Sequence, residues 1–155
     1  MAMPESTAPP SDIAALLRGR AAVSGDAAAL ETPSGETVSY ARLNDLAGRI
    51  ARDLAAATPA GKGRPRIGIV LPNGPEMAVA LLGTCLAGAA LPFNPACTAA
   101  EFEAYFGETA VDLVLIRDGE DGPAMRAARN VGVPVAHLAR AGGRLVGGDG
   151  TGAMP

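Results

Sequence analysis

Hydrophobic and polar positions change period several times along this chain of 155 residues, and each change predicts an element. Ser11 can cap a short helix in which Ile13, Leu16 and Leu17 share one face. Residues 27–31 and 36–38 flank Thr32-Pro33-Ser34-Gly35, which predicts a β-hairpin. Ser39 then caps a helix to about Ala57, with Tyr40, Leu43, Leu46, Ala47, Ile50, Ala51 and Leu54 on the 3.6-residue period. Its other side carries Arg42, Asp45, Arg49 and Asp53, spaced to pair in series as a solvated face.

A loop at 58–65 leads into residues 66–95, which read as strand, tight turn, helix and second strand, a βαβ unit. The turn is Pro72-Asn73-Gly74. Pro75 suits the first helical position because an N–H is wasted there, and Glu76 suits the positive end of the helix. Gly88 stands where a left-handed cap would stop the helix, and Pro92 and Pro95 keep it from resuming. Thr98 and Glu101 have capping-box spacing for a helix to about Gly107. A strand at 111–116, a helix at 123–130 and a strand at 133–138 follow, with at most one short strand near 144–146. Strands alternating with helices predict an α/β fold, a partial and mostly parallel sheet flanked by helices. The expected organisation is a flexible tail at 1–10, one α/β unit at 11–138 and a Gly-rich linker or truncated end at 139–155.

The helix Pro75–Ala87 differs from the one after Ser39. Beyond Glu76 only Thr84 is polar, so no wet face is available. Either the rest of the sheet covers it, or it expects a surface beyond this chain: the remainder of a larger protein or a partner subunit.

Composition limits the function classes. Apolar residues make up 48% and charged residues 19%, so a core is available, although aromatics are only 3%. The net charge of −3 argues against nucleic acid, which demands clustered positive charge. No apolar run reaches the roughly 20 residues of a membrane span. The opening MAMPESTAPPS has neither a basic nor an apolar signal region, and Cys85 and Cys97 lack metal-type spacing. A reduced, cytoplasmic setting is the expectation.

Candidate chemistry is sparse. His137 falls on a strand without a suggested Ser, Cys or acidic partner, which makes it structural. Cys85 reads as a small core residue, and Cys97 precedes a helix cap without His or Asn support for a nucleophile. Asn73 and Asn94 sit in turns at strand ends, where open α/β sheets bind ligands, although Asn also simply suits a turn. Gly147-Gly148-Asp149-Gly150-Thr151 spells a kinase-like phosphate motif but reads better as linker. A nucleotide-binding Gly-x-Gly-x-x-Gly is absent from the sequence. No residue is assigned a catalytic, cofactor-binding or metal-binding role.

Three segments resemble the adenylate-forming superfamily of AMP-dependent synthetases and ligases, which includes acyl-CoA synthetases. Val38-Ser39-Tyr40-Ala41-Arg42-Leu43 resembles its hydrophobic-Ser/Thr-Tyr-x-x-Leu helix opening. Residues 67–76, IGIVLPNGPE, resemble its strand and Leu-Pro-Asn turn. Residues 85–95 resemble its Leu-x-Ala-Gly run ending in Pro-hydrophobic-Asn-Pro, and Asn94-Pro95 leans toward acyl-CoA synthetases. The resemblance implies the N-terminal part of the acyl-CoA synthetase-like fold, a third or less of such an enzyme. It implies ATP-dependent activation of a carboxylic acid as acyl-adenylate, followed by transfer to a thiol such as coenzyme A. ATP, Mg²⁺ and coenzyme A are thus implied for the complete enzyme and none for this chain. The Ser/Thr/Gly-rich phosphate loop and the late lysine that the chemistry needs are not in this sequence. Two readings follow: an N-terminal fragment inactive by itself, or a stand-alone, non-catalytic binding or scaffolding protein derived from such an enzyme.

Overall fold

The computed structural model describes residues 12–139 and the strand residues 145–146. Helix α1 (Ile13–Ser24) is capped by Asp12, whose Oδ1 accepts from the Ala15 N–H at 2.7 Å. Asp12 has the extended backbone that a cap requires, so it takes the role expected of Ser11. Ser11, the tail 1–10, most of 139–155 and the Gly147-Gly148-Asp149-Gly150-Thr151 run lie outside the described residues.

Strands β1 (Ala28–Glu31) and β2 (Thr37–Ser39) pair antiparallel as the expected hairpin. Ser39 caps α2 (Tyr40–Ala57), accepting from the Arg42 N–H at 3.3 Å. The period holds: Leu43, Leu46, Ala47, Ile50 and Leu54 are buried, while Arg42, Asp45 and Arg49 are exposed. Arg42 makes no ion pair among the described residues, so the expected series of charge pairs is not complete. An exposed pair gains little Coulomb energy against the entropy of holding two long side chains.

Next come β3 (Arg66–Val70), α3 (Pro75–Ala87), β4 (Ala89–Pro92), α4 (Ala99–Glu108), β5 (Leu113–Arg117), α5 (Pro123–Val131), β6 (Val135–Leu138) and β7 (Leu145–Val146). The main sheet has the order β4-β3-β5-β6-β7, with the first four strands parallel and β7 antiparallel to β6. Alternation assigns each strand residue to a side. Ile67, Ile69, Leu113, Leu115, Ala136 and Leu138 join the core beneath α2 and α3. Val70, Val114, Ile116 and Val135 join the core beneath α4 and α5, with Phe102, Phe106, Ala127 and Ala128. The Thr98–Glu101 capping box that starts α4 is fully formed.

The close approach of α3 to α2 answers part of the question its apolar sequence raised. Val79, Ala80, Gly83 and Thr84 are buried on its inner side, and a Cβ on Gly83 would stand 2.7 Å from Ile50 side-chain atoms. Its remaining apolar residues, including Met77, Leu81, Leu82 and Leu86, are only partly covered. Gly88 corrects an expectation. Its backbone is extended, with φ −171°, not left-handed. Glycine is needed there because a Cβ would collide with the Pro65 carbonyl oxygen, beside which β4 enters the sheet.

Strand β4 is an edge of the sheet, and its hydrogen bonds say which way it faces. The N–H groups of Ala89 and Phe93 donate to Pro65 and Ile69 on the β3 side. Ala90 and Pro92 therefore face outward, and Pro92 has no N–H to leave unpaired.

The amino ends of the strands are tied together. Asp112, just before β5, accepts from the Arg66 N–H at 2.9 Å and pairs with Lys62 at 2.7 Å. Arg66 Nη1 also donates to the Thr109 carbonyl at 2.9 Å. The backbone bond from Arg66, and then Lys62, hold the Asp112 carboxyl below the usual aspartate range.

Three outcomes are expected. Gly83→Ala should lower the unfolding free energy by about 1–3 kcal/mol through overpacking. Gly107→Ala, in α4 with open space around its Cβ position, should raise it by about 0.5–1 kcal/mol. Urea titrations that gave Gly83→Ala a wild-type midpoint would contradict the tight α2–α3 contact. Asp112 has a depressed folded pKa, so its contribution is complete above the unfolded value of about 3.9 and is lost as pH falls through the folded one. The stability gap between wild type and Asp112→Asn should be full at about pH 6 and shrink below about pH 4. A gap that is constant or widens on acidification would contradict this.

Candidate functional site

Topology locates a crevice before any side chain is considered. From β3 the chain crosses to β4 on one side, then returns past β3 through α4 to reach β5 on the other. Neighbouring strands β3 and β5 thus mark the point where the direction of winding reverses, and ligands of open α/β sheets bind outside the carboxyl ends of such strands. A cleft of about 510 Å³ opens at this place.

Each wall comes from a different element. The hairpin gives Thr37 and Val38, and α2 gives Arg42 and Leu46. The turn after β3 gives Pro72, Asn73 and Gly74, the start of α3 gives Pro75, Glu76 and Val79, and the end of β5 gives Arg117. Gly74 is the residue before α3 and has φ +153°, a value that side chains rarely tolerate. That turn sets the direction in which α3 leaves the sheet.

The charges in the cleft are unevenly satisfied. Arg117 donates from Nε at 3.0 Å and from Nη2 at 2.7 Å to one oxygen of Glu76. Its Nη1 lies 3.9 Å from Glu120. Glu76 also stands in the first turn of α3, so its carboxylate fills the positive end of that helix. Arg42 is an exposed guanidinium without an acidic partner among the described residues. A divalent metal does not fit this set, because the one carboxylate present is committed to Arg117. Among the described residues no group of three or more His, Cys, Asp or Glu could hold a metal ion.

The residues singled out in the sequence fare differently. Asn73 is exposed and lines the cleft. Asn94 accepts from the Ala96 N–H at 3.0 Å, which is turn chemistry. His137 is half-buried on β6, its Nδ1 without a hydrogen-bond partner among the described residues. Cys97 packs against the α4–α5 core, and Cys85 is half-buried on α3 and not a fully enclosed core residue. Lys62 sits at the opposite, amino end of the strands, bound to Asp112. Sequence reasoning missed Arg117 and placed Arg42 on a plain solvated face. An arginine ending an otherwise apolar central strand was the available signal.

Comparisons with known proteins agree with the geometry. The family model described as AMP-binding enzyme matches residues 17–144. ATP-bound MatB from Rhodopseudomonas palustris is similar at 27% identity and a TM-score of 0.70, over 86% of this chain and 26% of MatB. The N-terminal domain of FACL13 from Mycobacterium tuberculosis is similar at 25% identity and a TM-score of 0.69, over 84% of this chain and 34% of that one. A fatty acyl CoA synthetase from the same organism is similar at 26% identity and a TM-score of 0.61, over 77% of this chain and 23% of its own. The chain thus spans about a quarter to a third of the length of these structures. No curated protein sequence matches it. No helix among the described residues is long and apolar enough to cross a membrane. The family match over most of the sequence, on a fold shared with acyl-CoA synthetase structures, shows that the chain belongs to the AMP-binding family of adenylate-forming enzymes.

Proposed function

We propose that the chain is the N-terminal portion of an ATP-dependent acid–thiol ligase that activates a carboxylic acid as acyl-adenylate and passes it to coenzyme A. The observation that carries this reading is the family match over residues 17–144 together with the fold shared with MatB and the FACL13 N-terminal domain. In the same proposal these residues supply scaffold and not chemistry. Charge on a leaving pyrophosphate needs preorganised donors and a cation. The sequence has no Ser/Thr/Gly-rich loop ending in Pro-Lys-Gly, and its single lysine is tied to Asp112 at the far end of the sheet. The positive end of α3 is equally unsuited to phosphate, since Pro75 offers no N–H and Glu76 already stands there. Mg²⁺ and ATP would accordingly be held by residues outside this sequence. A reducing, cytoplasmic setting belongs to the reading and is supported by two free thiols, Cys85 and Cys97.

The incomplete covering of Met77, Leu81, Leu82 and Leu86 on α3 supports contact with the remainder of such an enzyme. It equally favours a second reading, in which the chain is a non-catalytic binding protein that docks α3 on a partner.

Purified 155-residue protein is expected to show no ATP–pyrophosphate exchange with any of a panel of carboxylic acids. Exchange should appear when the same residues are part of a chain that also carries the phosphate loop and late lysine. Robust exchange by the 155 residues alone would refute the scaffold reading. A monodisperse complex with a separate protein, lost on Leu81→Asp, would favour the second one.

A further inference from the structure

We propose that α1 lies on an anionic lipid surface, with its outward aliphatic residues among the acyl chains and its two arginines at the lipid phosphates. The observation that carries this is a water-facing helix with little to offer water. Spacing in the sequence gave Ile13, Leu16 and Leu17 a common face, yet only Leu17 is buried. Ile13 is 38% exposed, Leu16 46% and Val23 84%, so three of the five exposed large hydrophobics among the described residues belong to this one helix. Together with Arg20 they recur at helical spacing on the side away from Leu17. The helix contains no acid and no amide side chain, whereas a helix that faces water ordinarily carries a charged or polar outer side.

Charge decides which surface fits. Arg18 and Arg20 are exposed, and Arg18 borders a groove with Arg49 and Arg52 of α2, in whose lining Asp45 is the one acid. The nearest acids along the chain lie past the helix ends: Asp12 caps α1, and Asp26 follows it. An arginine stem can lie along apolar surface while its guanidinium reaches the headgroups, which suits aliphatic residues interleaved with arginine. Shape favours lipid over an acidic protein. Leu17 seats α1 on the core of α2 and α3, and the outer stripe is left as a convex rod. A deformable lipid surface accommodates such a rod without the matching groove that a protein would need. Twelve residues are too few to span a bilayer, so the helix lies in the plane of the surface. The proposal stands whether or not the ligase reading holds.

The chain has no tryptophan, so Val23→Trp supplies a single fluorescent reporter. Vesicles of phosphatidylcholine with about one-third phosphatidylglycerol should shift its emission to the blue and sediment the protein with them. Val131→Trp, equally a lone reporter but on α5 across the sheet, should stay unshifted. The double variant Arg18→Gln, Arg20→Gln should lower vesicle affinity about tenfold or more, and Val23→Glu should do so by a similar factor. Val23 is so exposed that its variants should keep the wild-type urea midpoint. The proposal is overturned if neither reporter shifts, the result that an acidic protein partner would give. It is equally overturned if both reporters shift alike, or if vesicles of phosphatidylcholine alone bind as tightly as the anionic ones. Wild-type affinity in Val23→Glu would overturn it too, because charge alone would then hold the protein. The exchange assay and the vesicle assay can fail separately.

Discussion

Gly83 lets the backbone of α3 press against Ile50 and the Ala47 carbonyl of α2, and the cleft inherits its shape from that contact. A side chain at this position would push the helices apart, because protein interiors are too dense to absorb an added methyl without strain. The two helices cover one face of the sheet together and contribute Arg42, Leu46, Glu76 and Val79 to a common wall. Their spacing also holds Glu76 within reach of Arg117 on β5. One missing Cβ in the middle of an apolar helix thus positions charged groups at its end.

The sheet separates two tasks by its polarity. At the amino ends, Lys62, Arg66, Thr109 and Asp112 join the loop before β3 to the start of β5 through short polar contacts. Those contacts are made among the protein's own groups. At the carboxyl ends, the reversal of winding prevents the connecting segments from lying side by side, and a gap remains between them. Stability chemistry and the candidate site therefore occupy opposite rims of the same strands.

Much of this architecture is readable from local sequence, because local forces determine it. The Ser39 cap, the Thr98–Glu101 box and the proline at the head of α3 act within a few residues, so their elements appear where spacing places them. The family resemblance of residues 67–76 and 85–95 likewise lies in the βαβ unit that the fold displays. What escaped depends on distant neighbours. Gly88 looks like a cap in sequence, yet its requirement comes from Pro65, the residue just before β3. Arg117 and Glu76 are far apart in the chain, and only the parallel order of β3 and β5 brings them together. Arg42 shows the converse: spacing offers it Asp45 as partner, yet it lines a cleft and makes no ion pair among the described residues.

Pro92 on the outer side of β4 has a bearing on how this sheet can be assembled. With Pro92 lacking a donor, Ala90 alone offers an outward N–H, too little to template another strand. Once β3 and β4 have paired, β5 can join only beside β3, and β6 only beside β5. Beyond β3 the order of strands across the sheet thus repeats their order along the chain, with the proline-bearing β4 closing the other side.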